Sequence, residues 1–153
     1  MATLTIKDIS KSFGSTTVLQ NINLDLADGE FLVLVGPSGC GKSTLMNIVA
    51  GLEEPSTGSL HLGERDITAA APDTRDIAMV FQSYALYPNM TVAQNIAFPL
   101  EMRKVPAAQR AAAVDEVAGL LQIGHLLQRK PRQLSGGQRQ RVAIGRALAR
   151  RPS

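Results

Sequence analysis

The chain has 153 residues, 44% of them hydrophobic and 19% charged, and carries a formal net charge of +3. That length suits about one domain, and that composition can bury a core, which excludes a disordered chain. No apolar run approaches the roughly 18 residues of a membrane span, and a single cysteine excludes an internal disulfide.

Met1 to Asp8 has neither the basic start nor the apolar stretch of a secretory signal, so the reading places the chain in a reducing cytosol. Leu4 to Ile9 reads as a first strand. Val18 to Leu26 reads as a second, with Val18, Gln20, Ile22, Leu24 and Leu26 on one side. Between them Lys11-Ser12-Phe13-Gly14 reads as a loop. Asp28-Gly29 signals a turn. Phe31 to Val35 is a continuous apolar run, the pattern of a strand buried on both faces of a largely parallel sheet. Lys42 to Ala50 has helical character, with Gly51 placed to end it. Leu60 to Leu62 and Ile77 to Phe81 read as further strands.

From Ser83 onward the pattern becomes helical. Thr91-x-x-Gln94 is a capping box opening a helix expected to end before Pro99. Pro106 stands near the start of another, with Val114, Val117, Ala118 and Leu121 at helical spacing. Ser135-x-x-Gln138 is a second capping box, and the helix it opens is expected to reach about Arg150, with apolar contacts from Val142, Ile144, Ala147 and Leu148.

Charge is unevenly placed. No acidic residue follows Glu116, and that tail holds eight basic ones, so the first 116 residues carry a balance of −5. Such a tail suits either nucleic acid or a solvated helix face; no aromatic platform accompanies it, which favours the solvated face.

Gly36 to Thr44 reads Gly-Pro-Ser-Gly-Cys-Gly-Lys-Ser-Thr, a complete phosphate-binding loop between a strand and a helix. Gly36, Gly39 and Gly41 let the backbone curl and aim N–H groups inward, and the helix dipole adds positive character. Pro37, Ser38 and Cys40 complete the loop. Lys42 pairs with the β- and γ-phosphates of a nucleotide, Ser43 with Mg²⁺, and Thr44 reaches the α-phosphate. Leu134-Ser135-Gly136-Gly137-Gln138 offers a hydroxyl and successive N–H groups at another helix start. It is either a second anion site, completed across a dimer, or an ordinary capping box whose glycines serve close packing.

With these two motifs the chain resembles the ATP-binding subunit of an ABC transporter. Leu134 to Arg146 is similar to the family's signature stretch, and Val80 to Pro88 to the segment around its Q-loop glutamine. The subfamily resembled serves carbohydrate and glycerol-phosphate importers, maltose importers included. The resemblance implies an α/β fold, a P-loop NTPase of ABC type: a mixed sheet core with an N-terminal antiparallel β subdomain and an α-helical insert. Residues 1–85 would form the β subdomain and loop core, 86–134 the helical subdomain, and 135–153 a signature helix returning to the core. It implies ATP and Mg²⁺ as cofactors. Gln82 would sense the metal and the attacking water, an aptitude its amide has, and Phe13 would stack on adenine; alone, either is an ordinary packing or strand-end residue. Lys42, Gln82 and Ser135 would be the catalytic set. Tyr84 to Pro88 would receive a permease subunit or serve internal packing.

The implied partners are transmembrane permease subunits, a second copy closing head-to-tail over ATP and, indirectly, a substrate-binding protein, with no nucleic acid. The implied location is the cytoplasmic face of the membrane. The family's strand ending in Asp-Glu, its switch histidine and its regulatory domain do not occur among the 153 residues. The expectation is therefore a truncated polypeptide deficient in hydrolysis. A soluble ABC-type ATPase acting on nucleic acid or ribosomes, and a non-catalytic regulatory module, are the rival readings.

Overall fold

The computed structural model describes residues 3–152. It comprises two compact units, one ending at Ile77 and one spanning Ala78–Pro152. Among the described residues no helix is long and apolar enough to cross a membrane.

The first unit is built on an antiparallel sheet of strands β1 (Leu4–Phe13), β2 (Thr16–Leu26), β3 (Thr57–Leu62) and β4 (Arg65–Asp66), in the order β2-β1-β3-β4. Register runs from Leu4 opposite Leu26 to Phe13 opposite Thr16. The expected loop at Lys11 to Phe13 is instead the end of β1, which turns at Gly14 (φ 58°). Midway the ladder is irregular. Asp8 and Asn21 adopt left-handed backbone angles (φ 51° and 48°), and polar side chains take over the pairing: Asp8 N–H donates to Asn23 Oδ1, and Asn21 N–H to Ser10 Oγ. A bulge of this kind changes which face the following residues occupy. Leu19 is therefore buried and Gln20 exposed, the reverse of the sequence alternation.

Helix α1 (Lys42–Ala50) lies on this sheet, and Leu45 and Ile48 join Ile6, Ile9 and Leu60 in one apolar cluster. The helix stops at Gly51 as expected, in the left-handed conformation (φ 80°). Its last carbonyls find a partner that the sequence did not announce. Arg75, only 2% exposed, donates to Ile48 and Val49 oxygens at 2.7 and 3.1 Å, and to Ala70 and Thr68 oxygens at 2.8 and 3.1 Å. A cation at a helix C-terminus meets both the orphan carbonyls and the dipole. Burial lowers its pKa. A Cβ on Gly51 would lie 2.5 Å from Arg75 Nε, so glycine is required there for room as well as angle.

Two expected strands do not form. Phe31 to Val35 has no strand pairing, with Phe31 88% and Val35 90% exposed. Ile77 to Phe81 is likewise irregular. An apolar run encodes a demand for burial; a parallel strand forms only where neighbours supply its ladder, and no described segment pairs with either run.

The second unit is helical: α2 (Val92–Met102), α3 (Ala107–Leu120) and α4 (Gly136–Leu148). Their facing sides bury Val92, Ile96, Val117, Ala118 and Val142. Both capping boxes are made as the sequence predicts. Helix α2 does not end before Pro99 but runs through it. Proline there forgoes one backbone bond, while the next turn brings Leu100 into the core. Helix α4 ends at Leu148, slightly short of expectation. Val142 is buried on it, whereas Leu148 is 39% exposed. Gly145 lets α4 approach closely, since a Cβ there would lie 3.1 Å from Val117 and 3.4 Å from Ile96.

Arg75→Met should lower the stability of the first unit by about 3 kcal/mol, because four carbonyls lose a charged donor. Urea unfolding checks this; an unchanged midpoint would refute the assignment of Arg75 as the cap of α1.

Candidate nucleotide-binding site

Helix α1 begins without a side-chain cap and without an acidic residue in its first turn. No side chain takes its orphan N–H groups, whereas on α2 and α4 the capping residue takes the third one. Gly41 (φ 93°) makes the entry. A Cβ there would lie 2.7 Å from Leu19 Cδ2 and 3.0 Å from the Val18 oxygen, so the loop is pressed against β2 and only glycine fits. Gly39 also takes a positive φ (82°). Lys42 folds back over the loop. Its Nζ donates to the Gly36 and Pro37 oxygens, both at 2.7 Å, and lies 3.3 Å from Cys40 Sγ. Gly36, Pro37, Ser38, Cys40 and Ser43 are exposed and Thr44 is half-buried. The ammonium thus waits inside the curl where phosphate oxygens would replace the two carbonyls.

Phe13 lies in the same unit as this loop. Its backbone pairs across the hairpin with Thr16, two residues before Val18, whose oxygen a Cβ on Gly41 would meet at 3.0 Å. Phe13 is 49% exposed.

The other residues singled out in the sequence belong to the second unit. Gln82 occupies an exposed turn in which Tyr84 N–H donates to the Phe81 oxygen at 2.9 Å. After it, Tyr84 and Ala85 hold left-handed angles unusual for non-glycine residues (φ 64° and 46°). Arg146, from α4, secures them: Nη1 donates to the Ala85 oxygen at 2.7 Å and Nη2 to the Tyr84 oxygen at 3.1 Å. Its guanidinium also lies 5.6 Å from the Tyr87 ring centre. Burial lowers the Arg146 pKa, and Tyr87 acts in the opposite sense. Asn95, fully buried on α2, completes the fastening. It accepts from Tyr87 N–H at 2.8 Å and donates to the Tyr87, Met90 and Thr91 oxygens. Sequence reasoning missed Asn95 and Arg146. The signal for Asn95 was present: it falls in the apolar stripe with Val92 and Ile96.

Ser135 Oγ accepts from Gln138 N–H at 3.3 Å, and Gln138 Oε1 from Ser135 N–H at 2.9 Å. The capping box is real. Close packing, however, does not explain the glycines within it: a Cβ on Gly136 or Gly137 would meet nothing within 4 Å, and neither has a positive φ.

Residues 19–153 match the ABC transporter family. The chain belongs to that family. It is 54% identical to the trehalose/maltose import ATP-binding protein MalK of Thermococcus litoralis, over 99% of this chain and 42% of that protein. It is 56% identical to the sn-glycerol-3-phosphate import ATP-binding protein UgpC of Burkholderia mallei, over 100% of this chain and 43% of that protein. The chain thus spans less than half the length of these relatives. Its fold matches the dimeric, post-hydrolysis ATP-binding cassette MJ0796 bound to ADP and Pi, with a TM-score of 0.86, 34% identity and coverage of 97% of this chain and 70% of that one. The α/β fold with an antiparallel β subdomain and a helical subdomain is the ABC cassette fold.

Asn95→Ala should free the segment from Tyr84 to Thr91 and destabilise the second unit by about 2 kcal/mol. Chymotrypsin should then cut at Tyr84 or Tyr87 faster than in the parent chain. Equal cutting rates would mean that Arg146 alone suffices to hold the segment.

Proposed function

We propose that this chain is the ATP-holding part of a subunit that energises import of a carbohydrate or a glycerol phosphate. The observation that carries the proposal is the uncapped start of α1 with Lys42 curled over it, a cationic, N–H-lined anion cradle. The identities of about 52–56% to sugar and glycerol-phosphate import ATP-binding proteins supply the substrate class.

ATP fits the residues present. The loop from Gly36 to Thr44 surrounds the phosphates, with Lys42 exchanging its two carbonyl bonds for β- and γ-oxygens, and Phe13 offers a face to the base. Among the described residues no group of three or more His, Cys, Asp or Glu gathers. In this reading the Ser43 hydroxyl, on the loop, would be a protein ligand for Mg²⁺, with phosphate oxygens and water around it, and Gln82 would keep the metal- and water-sensing role that the family resemblance implies. When bound, MgATP supplies a triphosphate whose terminal group is transferred to water. The contribution of Lys42, Gln82 and Ser135 is positioning and charge neutralisation.

The bare glycines at the start of α4 support a dimer. Nothing among the described residues excludes a Cβ there, and a ligand approaching from outside would account for them. A second copy presenting Ser135, Gly136 and Gly137 over the nucleotide would use them. The permease would dock in a groove of about 250 Å³ lined by Phe81, Tyr87, Phe98, Pro99 and Arg146. The secured backbone from Tyr84 to Thr91 gives that groove a firm wall. A subunit docked in this way would lie peripherally on the cytoplasmic face of the membrane, with a substrate-binding protein as an indirect partner.

Calorimetric titration tests the reading. The chain should bind MgATP, and Lys42→Ala should weaken binding at least about tenfold, since charge-assisted bonds to phosphate are lost. Binding that survives the substitution would sink the proposal. A second check uses Cys40, which is exposed inside the loop. Alkylation there should block MgATP by bulk, and MgATP should slow the alkylation. Identical labelling rates with and without nucleotide would place the ligand elsewhere.

A further inference from the structure

Lys11 makes an unusual set of contacts for a surface strand. Its Nζ lies 2.6 Å from Glu53 Oε1 and 2.6 Å from the Glu54 backbone oxygen, and only 12% of its side chain is exposed. The same ammonium sits over the Phe13 ring, 4.8 Å from its centre. Lys11 and Phe13 are two residues apart near the end of β1, where the ladder shifts register between Lys11 and Ser12. Glu53 and Glu54 follow Gly51, where the phosphate-loop helix ends, after one intervening residue, Leu52. Two further bonds fasten the same region: Ser12 N–H donates to Ser56 Oγ at 3.1 Å, and Ser56 N–H to the Ser10 oxygen at 2.8 Å.

An exposed aromatic ring on a hairpin end is ordinarily free to change rotamer. Stacking on a base would then require the ring to be ordered on each binding event. Here a cation anchored by two oxygens on the α1 side occupies one face of the ring, and cation–π attraction holds it. The residue remains 49% exposed, so a face is left for a planar ligand. We infer that Lys11 is a positioning residue for the nucleobase: pinned by Glu53 and Glu54, it pre-orders the Phe13 ring relative to the phosphate loop. This rests on the nucleotide reading above, in which Phe13 meets the base. It predicts that Lys11 matters for the base and not for the phosphates. Stacking on an aromatic face is tolerant of base identity, so adenine and guanine nucleotides should respond alike.

The test compares MgATP with magnesium tripolyphosphate, which has no base, by calorimetry on the full 153-residue chain. Lys11→Met combined with Glu53→Gln keeps the net charge and removes the ammonium. It should weaken MgATP about two- to tenfold, the cost of ordering one side chain, and leave tripolyphosphate unchanged. Lys11→Arg should restore most of the difference, and in a Phe13→Ala background the Lys11 change should have no further effect. Lys11→Gln, a milder variant, should move in the same direction should the double variant fold poorly. In the nucleotide-free chain, the Phe13 ring resonances should shift toward random-coil positions when the ammonium is removed.

Equal weakening of both ligands would overturn the inference, since Lys11 would then act only through the hold on α1. A parent chain that binds MgATP no more tightly than tripolyphosphate would overturn it too, because no base contact would exist to be positioned. Phe13→Ala separates the two levels. If it leaves the preference for MgATP intact, the platform reading of Phe13 fails. If it abolishes that preference while the Lys11 variants do not, only the role of Lys11 fails.

Discussion

A helix leaves unpaired N–H groups at one end and unpaired carbonyls at the other, and the first unit is organised around how α1 meets that demand. At the C-terminus the Asn47, Ile48 and Val49 oxygens are satisfied from within. Arg75 is buried and spends its guanidinium on four carbonyls, two of them from α1. Gly51 provides both the left-handed turn and the space for that arginine. At the N-terminus nothing is satisfied by a side chain. The asymmetry makes a site: a helix firmly closed at one end keeps its dipole and its free donors for a ligand at the other.

The second unit uses the same chemistry to different effect. Helices α2 and α4 close their own N-termini with reciprocal capping boxes. Their side chains then reach back to irregular backbone. Asn95 and Arg146 between them hold six contacts to the stretch from Tyr84 to Thr91. That stretch includes two strained residues, Tyr84 and Ala85. Such strain persists only where surrounding groups over-determine the conformation, and here the determining groups are identifiable. Gln82, in the turn just before, inherits a fixed point of attachment.

The relation between the two hairpin residues Lys11 and Phe13 shows how a site acquires rigidity without extra mass. The glutamates after α1, the lysine and the ring form one short chain of contacts. The Phe13 backbone pairs by register with Thr16, two residues before Val18, whose oxygen leaves no room for a Cβ on Gly41. The phosphate loop and the aromatic face therefore share the same strand hairpin as their support.

The sequence by itself determined the elements whose causes are local. The glycine-rich entry to α1, the Gly51 stop, both capping boxes and the apolar face of α3 were legible, because caps, glycine angles and helical periodicity act over a few residues. The family also was legible, since the two motifs and their spacing are contiguous. Only the tertiary structure decided what depends on distant partners. Phe31 to Val35 and Ile77 to Phe81 carry the apolar pattern of strands, yet a ladder needs neighbours and neither run has one. The bulge at Asp8 and Asn21 reversed the exposure of Leu19 and Gln20 through side-chain bonds between two strands. Helix α2 passed Pro99 because burial of Leu100 outweighed one missing bond. Arg75, Asn95 and Arg146 became fasteners because their carbonyl partners, up to 62 residues away in the chain, came within hydrogen-bonding distance. Propensity is a property of a short segment, whereas the satisfaction of buried polar groups is a property of the folded whole.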